Sequence, residues 1–171
     1  MDAVSEQRLA LVCPALAAKI RQMADILLEQ DIQLRVTQGL RSWNEQAKLY
    51  EQGRTTPGKI VTNAAPGHSW HNFGLACDCL PLGAVGVDWN SSHPQWKLME
   101  DIGSSLGLTV GAKFRTFPDA PHFQLEGKLS VSPDEETRQI FTQGGMLAVW
   151  EAAGFSISPV LQAKTGESGG V

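Results

Sequence analysis

The chain has 171 residues, 42% of them apolar and 19% charged, which is the size and composition of one globular domain with a substantial core. Its net charge of −4 offers no basic surface to nucleic acid or to an anionic membrane, so neither partner is expected. Residues 1–20 lack a basic region followed by an apolar run, which predicts synthesis in the cytoplasm without a cleaved signal peptide.

The first half of the chain predicts two helical regions around one strand. Apolar residues recur every three or four positions from Ser5 to Gln30 and predict a helix that breaks at Pro14. Residues 33–37 alternate apolar and polar side chains, which is typical of a short strand. The segment Ser42–Glu45 has the pattern of a capping box and predicts a helix that ends at about Glu51.

A segment rich in Gly, Pro, Thr and Asn, residues 53–68, then predicts a long surface loop, and loops of this length are often functional. Four further elements are predicted: a central strand at 75–80, a helix at 94–106, a strand at 121–125 and a last helix that ends near Gly154. The last helix is predicted to have Ser132 as its N-cap and Pro133 as its first residue. Helices mixed with short, irregularly spaced strands favour an α+β fold. We expect one domain, residues 1–154, followed by a disordered tail, residues 155–171.

Residues 67–79, rich in glycine and aromatic side chains, contain His71 and Asp78 seven positions apart. Polar side chains in such a setting need a hydrogen bond, an ion pair or a metal to offset the loss of water. An odd separation along one strand would place them on opposite faces. A turn at residues 72–74 changes that relation and allows the imidazole and the carboxylate to converge.

A second carboxylate–imidazole pair, Asp119 and His122, lies far downstream with Pro121 between them. Together His71, Asp78 and His122 would supply two nitrogens and one oxygen, the three protein ligands of a catalytic zinc site. The residue types alone leave a second interpretation open, in which each histidine is a hydrogen-bonded structural residue.

These motifs resemble those of a known family. The spacing Ser69-x-His71-x-x-Gly74-x-Ala76-x-Asp78 resembles the zinc motif of the VanY/VanX type of D-Ala-D-Ala peptidases, in the LAS group of metallopeptidases. Asp119-x-Pro121-His122 resembles the second motif in the form found in L-alanyl-D-glutamate peptidases, including phage endolysins. The resemblance covers roughly residues 30–126. It implies an LAS/hedgehog-type metallopeptidase fold, with a small central antiparallel sheet and flanking helices.

The resemblance also implies that one Zn²⁺ per chain is bound by His71, Asp78 and His122. By the same resemblance, Asp119 is the catalytic general base and acid.

Three more residues are candidates for the catalytic and substrate-binding parts of the site. By the resemblance, Arg41 would bind a substrate carboxylate or polarise the scissile carbonyl, for which its planar set of donors is suited. Without the resemblance, Arg41 would be interpreted as an exposed cation at the end of a strand. Gln46 and Ser69 are weaker substrate-binding candidates, and Ser69 is equally well explained as a turn residue that bonds to its own backbone.

The remaining histidines and the cysteines have simpler explanations. His68 and His93 are predicted to lie at the surface. Cys77 and Cys79 alternate with a candidate ligand along a strand and are therefore predicted to point away from it, into the core. A zinc finger formed by these two thiols and Cys13 would need an unusual spacing.

The resemblance predicts a zinc-dependent peptidoglycan peptidase that hydrolyses the L-Ala–D-Glu bond of stem peptides through a zinc-activated water. It would act as a monomer on the cell wall, after release or export without a leader. Two alternatives stay open: a D-Ala-D-Ala carboxypeptidase, and a non-catalytic zinc-containing module that binds the wall. Relatives commonly have a Gly-Asp-Trp type of segment before the second motif, whereas residues 111–114 are Gly-Ala-Lys-Phe. We therefore expect Lys113 and Phe114 to alter the substrate wall.

Overall fold

The computed structural model describes residues 1–83 and 86–156. These residues form five α helices and five strands, in the chain order α1 (Ala3–Leu9), α2 (Pro14–Leu28), β1 (Leu34–Gln38), α3 (Trp43–Glu51), β2 (Ala76–Gly83), β3 (Gly86–Val87), α4 (Pro94–Ser105), β4 (Thr109–Val110), β5 (His122–Gln124) and α5 (Glu135–Ala152). Two short 3₁₀ helices, Trp70–Phe73 and Gly111–Lys113, adjoin the sheet. None of the helices in the described ranges is long and apolar enough to cross a membrane.

The predicted break in the first helical region is confirmed. Residues 10–13 separate α1 from α2, and Pro14 is the first residue of α2, where its missing N–H costs no helical hydrogen bond. The apolar stripe of α2 is fully buried in the core at Leu16, Ile20 and Leu27. Burial of this stripe holds the helix against the rest of the domain.

The sheet is antiparallel, with strand order β1-β2-β5-β4 and β3 paired to β2. Strand β2 is therefore central, as expected, and it continues three residues past the predicted end at Leu80. Strand β4 was not predicted, because its two residues are too few to show an alternating pattern. The register places Asp78 directly opposite His122, so the side chains of this cross-strand pair share a face of the sheet.

Helix α1 protects the free edge of β1. The backbone N–H of Val36 donates a hydrogen bond to Ser5 Oγ at 3.0 Å, and the Arg8 guanidinium donates to the Val36 carbonyl. These contacts satisfy backbone groups that an exposed edge strand would offer to another chain.

The predicted capping box at the start of α3 is confirmed. Ser42 Oγ accepts from the Glu45 backbone N–H, and the Glu45 carboxylate accepts from the Ser42 backbone N–H at 2.8 Å. The loop predicted for residues 53–68 is also present.

The predicted start of the last helix is wrong by two residues. Helix α5 begins at Glu135, because Asp134 rather than Ser132 is the N-cap, and its Oδ1 accepts from the Thr137 backbone N–H at 2.9 Å. The helix kinks at Gly145, where φ is 68° and ψ is −164°, and it ends next to Gly154 as expected. Residues 157–171 of the predicted tail lie outside the described part of the chain.

Candidate metal centre and active site

His71 and Asp78 converge across a bend between the first 3₁₀ helix and strand β2. Ser69 is the N-cap of that 3₁₀ helix, and Gly74 ends it with a φ of 63°, in the left-handed region that favours glycine. The chain then enters β2 two residues before Asp78. As a result, His71 Nε2 lies 3.1 Å from Asp78 Oδ1.

His122 completes this group from the neighbouring strand β5. Its Nδ1 lies 3.2 Å from His71 Nε2 and 3.5 Å from Asp78 Oδ1. The cross-strand register of Asp78 and His122 therefore brings together two motifs that are 44 residues apart in sequence. Among the residues that the structure describes, His71, Asp78 and His122 form the one group of three or more side chains able to hold a metal ion.

The outer nitrogen of each imidazole has its own hydrogen-bond partner. His71 Nδ1 lies 2.8 Å from the Gly39 carbonyl, and His122 Nε2 lies 2.9 Å from Gln124 Oε1. Because both partners are acceptors, each outer nitrogen carries a proton, and the inner nitrogen of the neutral ring presents a lone pair. Such second partners commonly orient histidines that bind a metal.

The three inner atoms fit a zinc ion. Two lone pairs and a carboxylate oxygen that face one another repel unless a cation lies between them. For tetrahedral zinc with ligands at about 2.0–2.1 Å, neighbouring ligand atoms are roughly 3.3–3.4 Å apart. The three observed separations of 3.1, 3.2 and 3.5 Å lie close to that value.

The electrostatics of the group favour an ionised Asp78. Burial alone would raise the pKa of this carboxyl, but the positive charge and hydrogen bonds of His71 and His122 in their protonated forms hold it well below its usual range. For His122, burial lowers the pKa, but the hydrogen bond and charge of Asp78 outweigh that effect and raise it. Asp78 is therefore available as an anionic ligand at neutral pH.

Asp119 lies beside this group. It is partly buried, and its backbone carbonyl accepts from the His122 backbone N–H at 3.1 Å. Burial raises the pKa of the Asp119 carboxyl and the negative charge of Asp78 raises it further, against the opposing charges of the two histidines and Arg41. A carboxyl with a raised pKa exchanges protons closer to neutral pH than an ordinary one.

Arg41 faces the same group, with Nη2 at 3.4 Å from Asp78 Oδ2 and a side chain that is 12% exposed. Its Nη1 donates to Gln46 Oε1 at 2.9 Å, and Gln46 Nε2 donates to the Ala64 carbonyl at 2.8 Å. Gln46 is fully buried, so its contacts are with Arg41 and the loop. Ser69 Oγ accepts from the His71 backbone N–H at 3.4 Å, as the turn interpretation expects.

The other polar candidates lie away from the three ligands. His68 is exposed and contacts Arg138 at 3.3 Å, and His93 is exposed and paired with Asp88 at 2.7 Å, as predicted for surface residues. All three cysteines are buried with free thiols, and those at 77 and 79 lie in the core as expected. Burial raises the pKa of the Cys77 and Cys79 thiols and keeps them protonated.

Two supporting residues were not predicted from the sequence. Gln124 holds His122, and Asn72 donates from Nδ2 to the Arg41 carbonyl at 2.9 Å while its Oδ1 accepts from the Gly67 N–H at 3.0 Å. Gln124 could have been found from the sequence, because it lies two residues after His122 on a predicted strand and residues two apart on a strand share a face.

The segment that departs from the family pattern adjoins the metal group. A Cβ on Gly111 would lie 2.5 Å from the Asp119 carbonyl oxygen and 2.7 Å from His122 Cβ, so only glycine fits there without a shift. The Phe114 ring lies 5.6 Å from the His122 ring, between centroids. The Lys113 side chain instead donates a hydrogen bond to Ser104 Oγ at 2.7 Å. Phe114 is therefore the residue of this segment that borders the site.

Comparison with known proteins identifies relatives of this fold and site. Residues 10–110 match the VanY family, described as D-alanyl-D-alanine carboxypeptidase, and this range includes His71 and Asp78. The chain is also similar to the peptidoglycan L-alanyl-D-glutamate endopeptidase CwlK of Bacillus subtilis (strain 168). The two are 35% identical over 118 residues, which cover 62% of this chain and 71% of that protein.

Solved structures agree with this similarity. The L-Ala D-Glu endopeptidase ChiX of Serratia marcescens superimposes with a TM-score of 0.54 and 25% identity, over 72% of this chain and 87% of that one. The D,D-pentapeptidase VanY from a VanB-type resistance cassette, solved in complex with Zn(II), shares the fold with a TM-score of 0.51 and 13% identity, over 81% and 83% of the two chains. The predicted α+β fold of LAS-type peptidases is confirmed.

Proposed function

Since the chain belongs to the VanY family of peptidases, we propose that it is a zinc-dependent peptidoglycan endopeptidase that hydrolyses the L-Ala–D-Glu bond of stem peptides. The observation that carries this proposal is the convergence of His71 Nε2, Asp78 Oδ1 and His122 Nδ1 within 3.1–3.5 Å of one another. Each imidazole is held by an acceptor on its far side, so the three atoms are prepared to bind one Zn²⁺ per chain.

A zinc ion bound there would supply Lewis acidity and a water acidic enough to lose a proton near neutral pH. Asp119 is proposed as the general base that accepts a proton from the attacking water and as the acid that returns it to the leaving amine. A backbone hydrogen bond with His122 and close packing against Gly111 fix the position of Asp119 beside the proposed metal ligands.

Arg41 is proposed to bind a substrate carboxylate or the carbonyl oxygen of the scissile peptide. Its guanidinium lies at the edge of the metal group, where it contacts Asp78, and its planar set of donors suits a carboxylate or a carbonyl oxygen. Gln46 is proposed to support substrate binding by holding Arg41 in position, because it is fully buried and accepts a hydrogen bond from that side chain. Ser69 is proposed to support the site by capping the turn that carries His71.

The choice of bond rests on the relatives. CwlK and ChiX are both named as endopeptidases for the L-Ala–D-Glu bond, and the Asp-x-Pro-His form of the second motif agrees with them. The second candidate is a D-Ala-D-Ala carboxypeptidase, which the description of the matched family favours. The substrate in either case is a peptidoglycan stem peptide, and we propose that a monomer acts on it at the cell wall.

Mass spectrometry of purified peptidoglycan, digested with the zinc-loaded protein, tests these alternatives. New L-Ala carboxyl ends together with new D-Glu amino ends are expected. Release of D-Ala alone would move the protein to the carboxypeptidase function. Absence of any product from folded, zinc-replete protein would contradict both and leave a non-catalytic module that binds the wall.

A further inference from the structure

The backbone carbonyl of Val131 contacts the residue that supports His122 and the residue that precedes His71. It accepts a hydrogen bond from Gln124 Nε2 at 2.8 Å and another from Trp70 Nε1 at 3.0 Å. Gln124 Oε1 in turn accepts from His122 Nε2, and Trp70 is the residue before His71. One carbonyl, in the segment between β5 and α5, is thus bonded to the support of the His122 imidazole and to the chain neighbour of His71.

We propose that Gln124 is a positioning residue of the metal centre, which holds His122 with Nδ1 towards the metal, and that the Val131 carbonyl fixes the orientation of the Gln124 amide. This inference rests on the zinc site of the proposed function. The family match ends at residue 110, so Gln124 and Val131 lie beyond it.

The hydrogen-bond network has one consistent arrangement. With the amide as placed, Oε1 faces the His122 N–H and Nε2 faces the Val131 carbonyl. A flipped amide would place its N–H groups against the N–H of His122 and its oxygen against the Val131 oxygen, and both contacts would be lost. The Val131 carbonyl therefore fixes the amide, and the amide fixes the protonated nitrogen of His122.

Burial makes this network hard to replace with water. Gln124 is 3% exposed and His122 is 7% exposed. Removal of the Gln124 amide would leave a buried imidazole N–H without a partner, which costs more than the loss of an exposed hydrogen bond. His122 would then favour its other tautomer, whose Nδ1 carries the proton and has no lone pair for the metal.

The segment that carries Val131 is itself anchored to α5. Ser130 Oγ donates to Asp134 Oδ2 at 2.8 Å, and Asp134 caps the first turn of α5 through Thr137. The last helix therefore supports the metal centre through Val131, although the three ligands belong to the sheet and the first 3₁₀ helix.

The test is zinc affinity, measured on the full chain by competition with a chromophoric chelator. Gln124→Met keeps the side-chain volume and removes the acceptor, and we expect zinc to bind about 10- to 100-fold more weakly. Gln52→Met is the matched control, because Gln52 bonds to the loop at Lys59 and not to a ligand, and its zinc affinity should be unchanged. Circular dichroism of the metal-free proteins establishes that each variant is folded.

A second pair of variants tests the Val131 carbonyl and still applies if Gln124→Met fails to fold. Trp70→Phe and Trp150→Phe each remove an indole N–H bond that holds the first 3₁₀ helix, but Trp150 bonds to Phe73 instead of Val131. We expect weaker zinc binding in Trp70→Phe and wild-type binding in Trp150→Phe. Equal losses in the two would overturn the role of Val131.

Wild-type zinc affinity in folded Gln124→Met would overturn the positioning role and leave the proposed function intact. Wild-type protein that binds no zinc would instead overturn the metal site of the proposed function, and this inference with it.

Discussion

The two sides of the candidate site are built in different ways. The proposed metal side consists of His71, Asp78 and His122: the register of β2 and β5 aligns Asp78 with His122, and the first 3₁₀ helix carries His71. The proposed substrate side consists of Arg41 and the loop at residues 53–68, which Gln46 links by accepting from Arg41 and donating to the Ala64 carbonyl. Most of the loop is exposed, whereas both histidine ligands are buried. We therefore expect changes in the loop to affect substrate binding more than the arrangement of the proposed metal ligands.

The largest expected effect comes from breaking the metal side. His71→Ala removes one of three ligands, so we expect loss of bound zinc and of peptidoglycan hydrolysis, measured by elemental analysis and by mass spectrometry of the digest. His93→Ala is the matched control, because His93 is exposed and paired with Asp88, and it should keep both properties. A full zinc equivalent in the His71 variant would contradict the ligand assignment.

The next largest expected effect distinguishes the loss of catalysis from the loss of bound zinc. Asp119→Ala should retain zinc but lower kcat by about 10²- to 10⁴-fold, because the general base and acid is lost. Asp101→Ala removes an exposed carboxylate that pairs with Lys97 on α4, and it should leave kcat unchanged. Hydrolysis at the wild-type rate in the Asp119 variant would exclude this residue from the mechanism.

A smaller effect is expected on the substrate side. Gln46→Leu removes the partner of Arg41 Nη1 and the bond to Ala64, while the volume of this buried position is nearly conserved. We expect KM for a soluble stem peptide to rise by about tenfold, with zinc binding unchanged, because Arg41 loses one of its fixed partners.

Gln52→Leu provides the comparison for this variant. It removes a similar bond from a glutamine amide to the loop backbone, but Gln52 has no contact with Arg41 among its hydrogen bonds in the described residues. A rise in KM of the same size in both variants would show that general loosening of the loop, rather than the placement of Arg41, determines binding.

The same difference between the two sides explains which features the sequence could predict. The ligands His71 and Asp78 belong to a short motif, and the turn that joins them was visible as Gly74. His122 was a candidate from its pairing with Asp119, the resemblance of its motif implied its role as a ligand, and the cross-strand register that unites it with Asp78 was visible only in the structure.

Features that depend on backbone atoms or on competing local signals were less predictable. The Gly39 and Val131 carbonyls orient the ligand shell, but a carbonyl is common to every residue and has no sequence signal. Ser132 and Asp134 are both good N-cap residues, and the choice of Asp134 depends on its contacts with Thr137 and Ser130 in the folded chain.

The smallest expected effect tests whether the loop acts on Arg41 from a distance. Arg54, near the start of the loop, contacts both helix α3 and the middle of the loop: its guanidinium donates to the Tyr50 carbonyl at 2.7 Å, to the Thr62 carbonyl at 3.0 Å and to Asn63 Oδ1 at 2.9 Å. It also lies over the Tyr50 ring, 4.1 Å from the centroid. Residues 62–63 directly precede Ala64, whose carbonyl holds Gln46 and, through it, Arg41.

Arg54→Ala should therefore raise KM for the stem peptide by about two- to fivefold, since the lost bonds are exposed and each contributes little. Zinc affinity should not change, because the hydrogen bonds of Arg54 go to Tyr50, Thr62 and Asn63 and not to the proposed ligands. Lys59→Ala, in the same loop, keeps the backbone carbonyl that Gln52 uses and should leave KM unchanged. If Arg54→Ala lowered zinc affinity as much as it raised KM, the metal side and the substrate side would not be independent. An unchanged KM would show instead that the loop acts on Arg41 only through the hydrogen bond between Gln46 and Ala64.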